Sequence, residues 1–218
     1  MAEKEAPRRR RSGGRAGNLR GKGPAVTQLP WSLPVNPDKP TEPLDEAGVA
    51  AVHDGAMRVL EEIGIEFLHP EALDILAEAG CKVTGENVRM ERDFVMQQVA
   101  LAPDSFTITP RNPERRIEIG GKRMIFGNVS SPPNCSDLDR GRRAGDRESF
   151  RDLIKLTQYF NCIHFAGGYP VEPTDIHPSI RHLDCLHDKL VLTDKVVHAY
   201  SLGKERVEDV MEMVRIAG

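Results

Sequence analysis

The chain has 218 residues, 39% hydrophobic, 29% charged and only 5% aromatic, with a formal net charge of -3 at pH 7. This composition describes a soluble globular chain of one or two domains rather than a fibrous, disulfide-framed or membrane-spanning one. The charge is unevenly spread. Residues 1–23 carry eight Lys and Arg against Glu3 and Glu5, so that segment is +6 and the remainder -9. An acidic body argues against nucleic acid as a partner. Cys81, Cys135, Cys162 and Cys185 form no C-x-x-C pair, so reduced thiols are expected. No apolar run reaches membrane-spanning length, and the basic start lacks the apolar core of a secretory signal. No membrane partner is expected, and the cytoplasm is the default location.

In chain order, residues 1–40 read as a disordered Arg- and Pro-rich arm, too poor in apolar residues to offset its ordering entropy. Its Arg run reads first as a solvated arm and second as a polyanion or partner contact. Trp31, the only Trp, is placed to tack the arm onto the body. A helix follows, with Asp45 as N-cap and Val49, Val52, Ala56, Val59, Leu60 and Ile63 at helical spacing, stopped by Gly64. Glu61 and Glu62 lie at the wrong end for the helix dipole, so tertiary packing has to hold this helix. A second helix opens at Pro70, turns Leu73, Leu76 and Ala77 inward and stops at Gly80. A third occupies "MERDFVMQQVALAP" and ends before Pro103.

The period then shortens. "SFTITP" and "RIEIGGKRMIF" alternate, and Gly120-Gly121 offers a hairpin turn because both residues accept positive φ. Asn128 to Arg143 reads as a long polar loop interrupted by two prolines. Asp146 then caps a helix whose buried side holds Phe150, Leu153, Ile154 and Phe160. A short apolar strand "CIHFAGG" follows. Next come a helix from Pro178, with Ile180, Leu183, Leu186 and Leu190 inward, the strand "KVVHAY" and a last helix. Strand, helix, strand, helix at this spacing means parallel strands with right-handed crossovers. Parallel strands need both faces covered or a closed barrel.

An ordered run of features carries a resemblance. It comprises "RRRRSGGRAG", "VLEEIGIEFLHPEALDILAEAGCKV", "NVRMERDFVMQQVALAPDSFTITPRNPERRIEIGG" and "RRAGDRESFRDLIKLTQYF". The chain resembles the N-terminal part of the trimethylamine methyltransferase family, the corrinoid-dependent amine methyltransferases. The resemblance runs from about residue 8 to the last residue and is most specific over residues 57–121. It implies an α/β fold: the arm at 1–40, a helical N-terminal region at 41–113, and an incomplete (β/α)8 TIM barrel at 114–218. A complete barrel takes ~250 residues, and about three of its eight strands are legible here. The expectation is therefore the front part of a longer protein. The family places pyrrolysine, in members that have it, in the part not represented.

The resemblance also implies the chemistry. The family moves a methyl group from trimethylamine, or a quaternary amine such as glycine betaine, to Co(I). That cobalt belongs to a corrinoid (cobalamin) carried by a partner corrinoid protein, and the chain itself binds no metal. Self-association into a homo-oligomer stays open. The alternative is a truncated, non-catalytic paralogue acting as a binding module.

A quaternary nitrogen accepts no hydrogen bond, so aromatic faces and carboxylates have to hold it. In a TIM barrel the site lies at the C-terminal strand ends. The residues at those exits are Asn128, followed by Ser130 and Ser131; Tyr169; and His198, Tyr200 and Ser201. Asn128, Tyr169, His198, Tyr200 and Ser201 are the candidate substrate-binding residues. The competing reading makes the tyrosines amphipathic caps on a barrel end and His198 a hydrogen-bonded core residue. No catalytic residue is identifiable. Arg140, Arg142 and Arg143 either dock the corrinoid protein or are solvated. His177, His182, Cys185 and His187 are poorly spaced for a metal: His182 and Cys185 share a helix face, but His187 does not. No nucleophile or phosphate-loop motif is present.

Overall fold

The computed structural model describes residues 26–200 and 202–218. The Arg run and Ser201 lie outside the described residues.

Helix α1 (Glu46–Arg58) starts where expected, because the Asp45 carboxylate accepts the Gly48 N–H at 2.8 Å. It runs into a single π-type turn, Val59–Ile63, which Gly64 closes at φ 83. A Cβ on Gly64 would sit 2.6 Å from the Val88 carbonyl oxygen, so glycine is required twice over. Strand β1 (Ile65–Glu66), helix α2 (Pro70–Glu78), strands β2 (Lys82–Thr84) and β3 (Asn87–Arg89) and helix α3 (Arg92–Val99) complete this region. Its antiparallel sheet has the order β1-β3-β2. Val88, at its centre, is fully buried. The apolar stripe on α1, which the sequence marks for tertiary packing, is uncovered among the described residues. Val49, Val52, Val59 and Ile63 all remain exposed, and only Met57 of α1 is buried.

Strands β4 (Ser105–Ile108) and β5 (Ile117–Gly120) pair antiparallel from Ser105↔Gly120 to Ile108↔Ile117. This corrects the hairpin expected at Gly120-Gly121. The chain reverses earlier, through a 3-10 turn at Pro113–Arg115 that Asn112 caps. Gly120 instead uses its positive φ to pass close to the backbone of Asp104 and Ser105. Beyond it, Arg123 bridges to Val35.

The segment expected as a polar loop also forms a hairpin, β6 (Asn134–Asp137) with β7 (Gly141–Ala144). Asp137 fixes its turn by accepting the Asp139 and Arg140 N–H groups at 3.1 and 2.7 Å, and Gly141 takes φ 63. An Asx-type turn of this kind needs no apolar alternation, so it leaves no periodic signal in the sequence.

The expected alternation follows: α4 (Arg147–Tyr159), β8 (Phe165–Ala166), α5 (Arg181–Leu192), β9 (Val196–Val197) and α6 (Lys204–Ala217). A capping box between Asp146 and Ser149 starts α4. Phe150, Ile154 and Thr157 share one face of it and are buried. Burying a Phe or Ile side chain stabilises by about 1.5–3 kcal/mol. β8 and β9 are parallel, Phe165 opposite Val196 and Ala166 opposite Val197. Gly127 makes a further parallel bridge to Phe165. Three parallel stretches thus lie side by side, with α4 between the first and second and α5 between the second and third. Phe150, Ile154, Ala166, Tyr169, Val171 and Cys185 form the core beneath those helices. Among the described residues no sheet closes into a barrel.

Residues 26–36 lie across the N-terminal ends of the first two stretches. Trp31 tacks them down, its ring edge-on to His164 with centroids 5.8 Å apart and the Arg115 guanidinium 5.3 Å from its centre. Met124 N–H donates to the Pro34 carbonyl, and Asn36 N–H to that of Lys122, both at 2.8 Å.

Candidate functional site at the strand exits

Parallel strands leave their sheet on one side, so Asn128, Gly167 and His198 emerge together. Asn128 Oδ1 accepts the Gly167 N–H at 2.9 Å, and the His198 N–H donates to the Ala166 carbonyl at 2.9 Å. The Gly167-Gly168 pair makes this approach sterically open. A Cβ on Gly168 would collide with Ser130 Oγ and the Tyr200 hydroxyl. That hydroxyl hydrogen-bonds Ser130 Oγ at 2.5 Å and also Ser131 Oγ. Ser131 is the one described non-glycine residue at positive φ, 61°. Its N–H donates to the Tyr169 carbonyl at 2.5 Å. Tyr169 and Tyr200 meet edge to face at 4.7 Å, and His198 meets Tyr200 at 5.5 Å.

Four of the five expected residues, Asn128, Tyr169, His198 and Tyr200, are thus brought together, and Ser201 lies outside the described residues. They are unequal. Tyr169 is buried, packs on Phe150 with centroids 5.8 Å apart and lies in one core cluster with Cys185. Burial holds its phenol far above the usual range and pushes the Cys185 thiol up to about 12, so neither ionises at neutral pH. Tyr200 and Asn128 are half-buried and His198 is exposed. Partial desolvation, then the Lys189 charge, lower the His198 pKa. A cleft of about 200 Å³ opens beside Tyr200, lined by Ser131, Glu172, Arg181, His182 and Arg206. Glu172 and Arg181 pair across it at 2.5 Å. A larger cleft, about 580 Å³, lies beside Trp31, Arg116 and Arg123 and contains none of the expected residues.

One residue at the exits escapes the sequence reading. Lys189 Nζ donates to the carbonyls of Gly167 at 2.9 Å and His198 at 2.7 Å, and sits 5.5 Å from the centre of the Tyr169 ring. The residue is 1% exposed. Burial pulls its pKa down to about 8. Flanked by Asp188 and Leu190, it looks like a solvated lysine on a charged face, and charge pattern alone gives no sign otherwise.

The remaining candidates go separate ways. His177 bonds Ser179 at 2.7 Å, His182 bonds Asp209 at 2.8 Å, and His187 is exposed beside Asp188. Among the described residues no three His, Cys, Asp or Glu side chains converge as a metal site would require. Arg140 and Arg143 turn back onto Asp137 at 3.3 and 2.6 Å, while Arg142 is exposed.

Helix-flanked parallel strands make this part of the chain α/β, with polar and aromatic groups gathered at the strand exits. The chain belongs to the trimethylamine methyltransferase (MTTB) family, whose profile matches residues 10–218. It is 36% identical over 173 residues to a glycine betaine methyltransferase of Desulfitobacterium hafniense (strain Y51), covering 79% of this chain and 36% of that protein. It is 26% identical over 171 residues to the trimethylamine methyltransferase MttB of Desulfitobacterium hafniense (strain DSM 10664 / DCB-2), covering 77% and 34%. The chain therefore spans about a third of the length of the curated relatives it matches. No described helix is long and apolar enough to cross a membrane.

Proposed function

We propose that this chain contributes the substrate end of a methyltransferase that takes a methyl group from a quaternary amine such as glycine betaine. The acceptor is the cobalt of a corrinoid carried by a separate protein, which enters as second substrate. The observation that carries the reading is the convergence of three parallel strand exits on Asn128, His198 and Tyr200, in a chain of this family. The preference for a quaternary over a tertiary amine rests on the 36% against 26% identities. In this reading residues 41–113 are a helical N-terminal region and 114–218 supply the first three strands of a TIM barrel.

The residues present orient rather than react. A trimethylammonium group offers no lone pair, so the ring face of Tyr200 is the natural surface for it. His198 adjoins that ring at 5.5 Å, Asn128 holds the neighbouring Gly167 exit, and Ser201 follows Tyr200 in sequence. Holding the N–CH3 bond in line with the attacking metal is worth several orders of magnitude in rate. The methyl carbon leaves with no electrons, the N–C bond pair stays on nitrogen as a tertiary amine, and Co(I) supplies the pair for the new bond. The cobalt carries that redox chemistry. Arg142 and the rest of the β6–β7 hairpin are the proposed contact for the corrinoid protein.

The test incubates the full-length encoded protein with cob(I)alamin and either glycine betaine or trimethylamine. Loss of the Co(I) absorbance with appearance of dimethylglycine is the expected result. Turnover of trimethylamine alone would transfer the substrate assignment. Turnover of neither, with or without a corrinoid protein supplied, would end the methyltransferase reading.

A further inference from the structure

A buried lysine normally has a carboxylate partner, because an isolated ammonium is costly to desolvate. Lys189 has none among the described residues, and both of its hydrogen bonds go to backbone carbonyls. Those carbonyls belong to Gly167 and His198, the first residues past β8 and β9. The β8–β9 ladder spans only Phe165–Ala166 against Val196–Val197, with one further bond from His198 N–H to Ala166. Beyond that point the ladder stops, and the Lys189 ammonium bridges the two diverging strand exits.

The third exit is tied to the same atom at one remove. Gly167, whose carbonyl takes the lysine, gives its N–H to Asn128 Oδ1 at 2.9 Å. His198, whose carbonyl takes the other bond, is two residues before Tyr200, and the Tyr200 hydroxyl returns to Ser130 and Ser131. Ser131 in turn donates to the Tyr169 carbonyl, and the Tyr169 ring lies under the Lys189 ammonium. The three exits form a closed set of contacts with Lys189 at its centre.

We propose that Lys189 is a positioning residue for methyl transfer, holding the exits of β8 and β9 at the separation that sets Asn128, His198 and Tyr200 around the substrate. This rests on the methyltransferase reading for its kinetic half only. Lys189 touches no reacting atom. Its ammonium replaces the ladder hydrogen bonds that the strand ends lack.

The chain carries its own control. Lys195 is equally buried and equally reliant on carbonyls, donating to Thr157, Phe160 and Ile163 at 2.6, 2.7 and 2.7 Å, but it precedes β9. Lys189→Met and Lys195→Met, each of similar side-chain length and without a donor, are compared in the full-length protein. Both are expected to lower the melting temperature. Only Lys189→Met is expected to lower kcat for amine demethylation, by tenfold or more with KM within about threefold. Lys189→Gln, which keeps two N–H donors, is expected to recover part of that loss and stands in if the Met variant does not fold.

Amide hydrogen exchange supplies the half that needs no activity. The Gly167 and Ser131 N–H groups, both bonded within the exits, are expected to exchange at least tenfold faster in Lys189→Met, and unchanged in Lys195→Met. Equal kcat losses in the two variants, or exit amides that exchange at the wild-type rate, would refute the positioning role while leaving the methyltransferase reading intact. An inactive wild type with fast exit amides in Lys189→Met would do the reverse.

Discussion

The two ends of the three parallel stretches use one device to opposite effect. At each end a buried lysine with no carboxylate among its hydrogen-bond partners satisfies carbonyls that no ladder reaches. At the floor, Lys195 binds the corner where α4 gives way to β8, and residues 26–36 close over it. There Gln28 Oε1 accepts the Asn161 N–H at 2.8 Å, and the Asn161 side chain donates to the Leu29 carbonyl at 2.9 Å. Trp31 covers His164. The Gln28, Leu29 and Ser32 bonds here each cross more than 130 residues of sequence. At the exits, Lys189 joins segments that remain accessible, with hydroxyls, a positive-φ serine and a glycine pair. Strain and incomplete burial at one end of a sheet that is tied down at the other are a pattern expected of a site. The floor stores stability; the exits hold geometry.

The sharpest way to break that contrast is at the floor. Lys195→Met strands the Thr157 and Ile163 carbonyls and leaves that of Phe160 only the Ile163 N–H at 3.2 Å, and each buried carbonyl without a donor costs about 1–3 kcal/mol. A loss of about 3–5 kcal/mol is expected from denaturant titration, larger than for Lys189→Met, which strands two carbonyls. Equal losses would mean that burial rather than bonding sets the cost.

A smaller effect is expected at the exits from Gly168→Ala. Its methyl would overlap Ser130 Oγ and the Tyr200 hydroxyl, which must move apart. Crowding of this kind costs about 1–3 kcal/mol, yet demethylation should fall by far more than that stability loss explains. Retained activity would separate the Tyr200 hydroxyl contacts from the site. Tyr200→Phe removes those contacts without crowding, and should cost about 1 kcal/mol or less in stability.

Much of this was legible in sequence and some could not be. Asp45 and Asp146 declared their helices because capping is a local property. Phe150 and Ile154 declared the buried face of α4 because their spacing is helical. The strand-helix alternation located Asn128, Tyr169, His198 and Tyr200 at exits, since position relative to a strand end follows from order alone. The β6–β7 hairpin left no trace, because "NCSD" and "GRRA" have no apolar alternation and the turn is made by the Asp137 carboxylate. Lys189 and Lys195 were invisible for a deeper reason. Which carbonyls lack partners is decided by where the ladder ends in three dimensions, and a lysine that answers them looks like any other. The stripe on α1 was legible, but what covers it was not.

The finest test of the two ends is pH. His164 at the floor is fully buried, its Nδ1 accepting the Phe126 N–H at 2.9 Å and its Nε2 facing the Ser32 carbonyl at 3.0 Å. A ring that must accept at one nitrogen and donate at the other is neutral. Protonation would turn Nδ1 into a donor against a donor. Desolvation is the main cause that lowers its pKa, with the Lys195 charge adding and the Ser32 contact opposing. The sign follows. The folded pKa lies below the unfolded value of about 6.5, so between the two the unfolded chain binds the extra proton. The stability that His164 contributes is complete above pH of about 6.5 and declines as pH falls below it. Melting temperatures at pH 7.5 and 5.5 should therefore differ more for the wild type than for His164→Gln. His198 at the exits also has a lowered pKa but is exposed, so His198→Gln should keep nearly the wild-type difference. If His198→Gln abolished the pH effect and His164→Gln did not, the titrating end would be the exits, and the division into a tied-down floor and an adjustable site would be inverted.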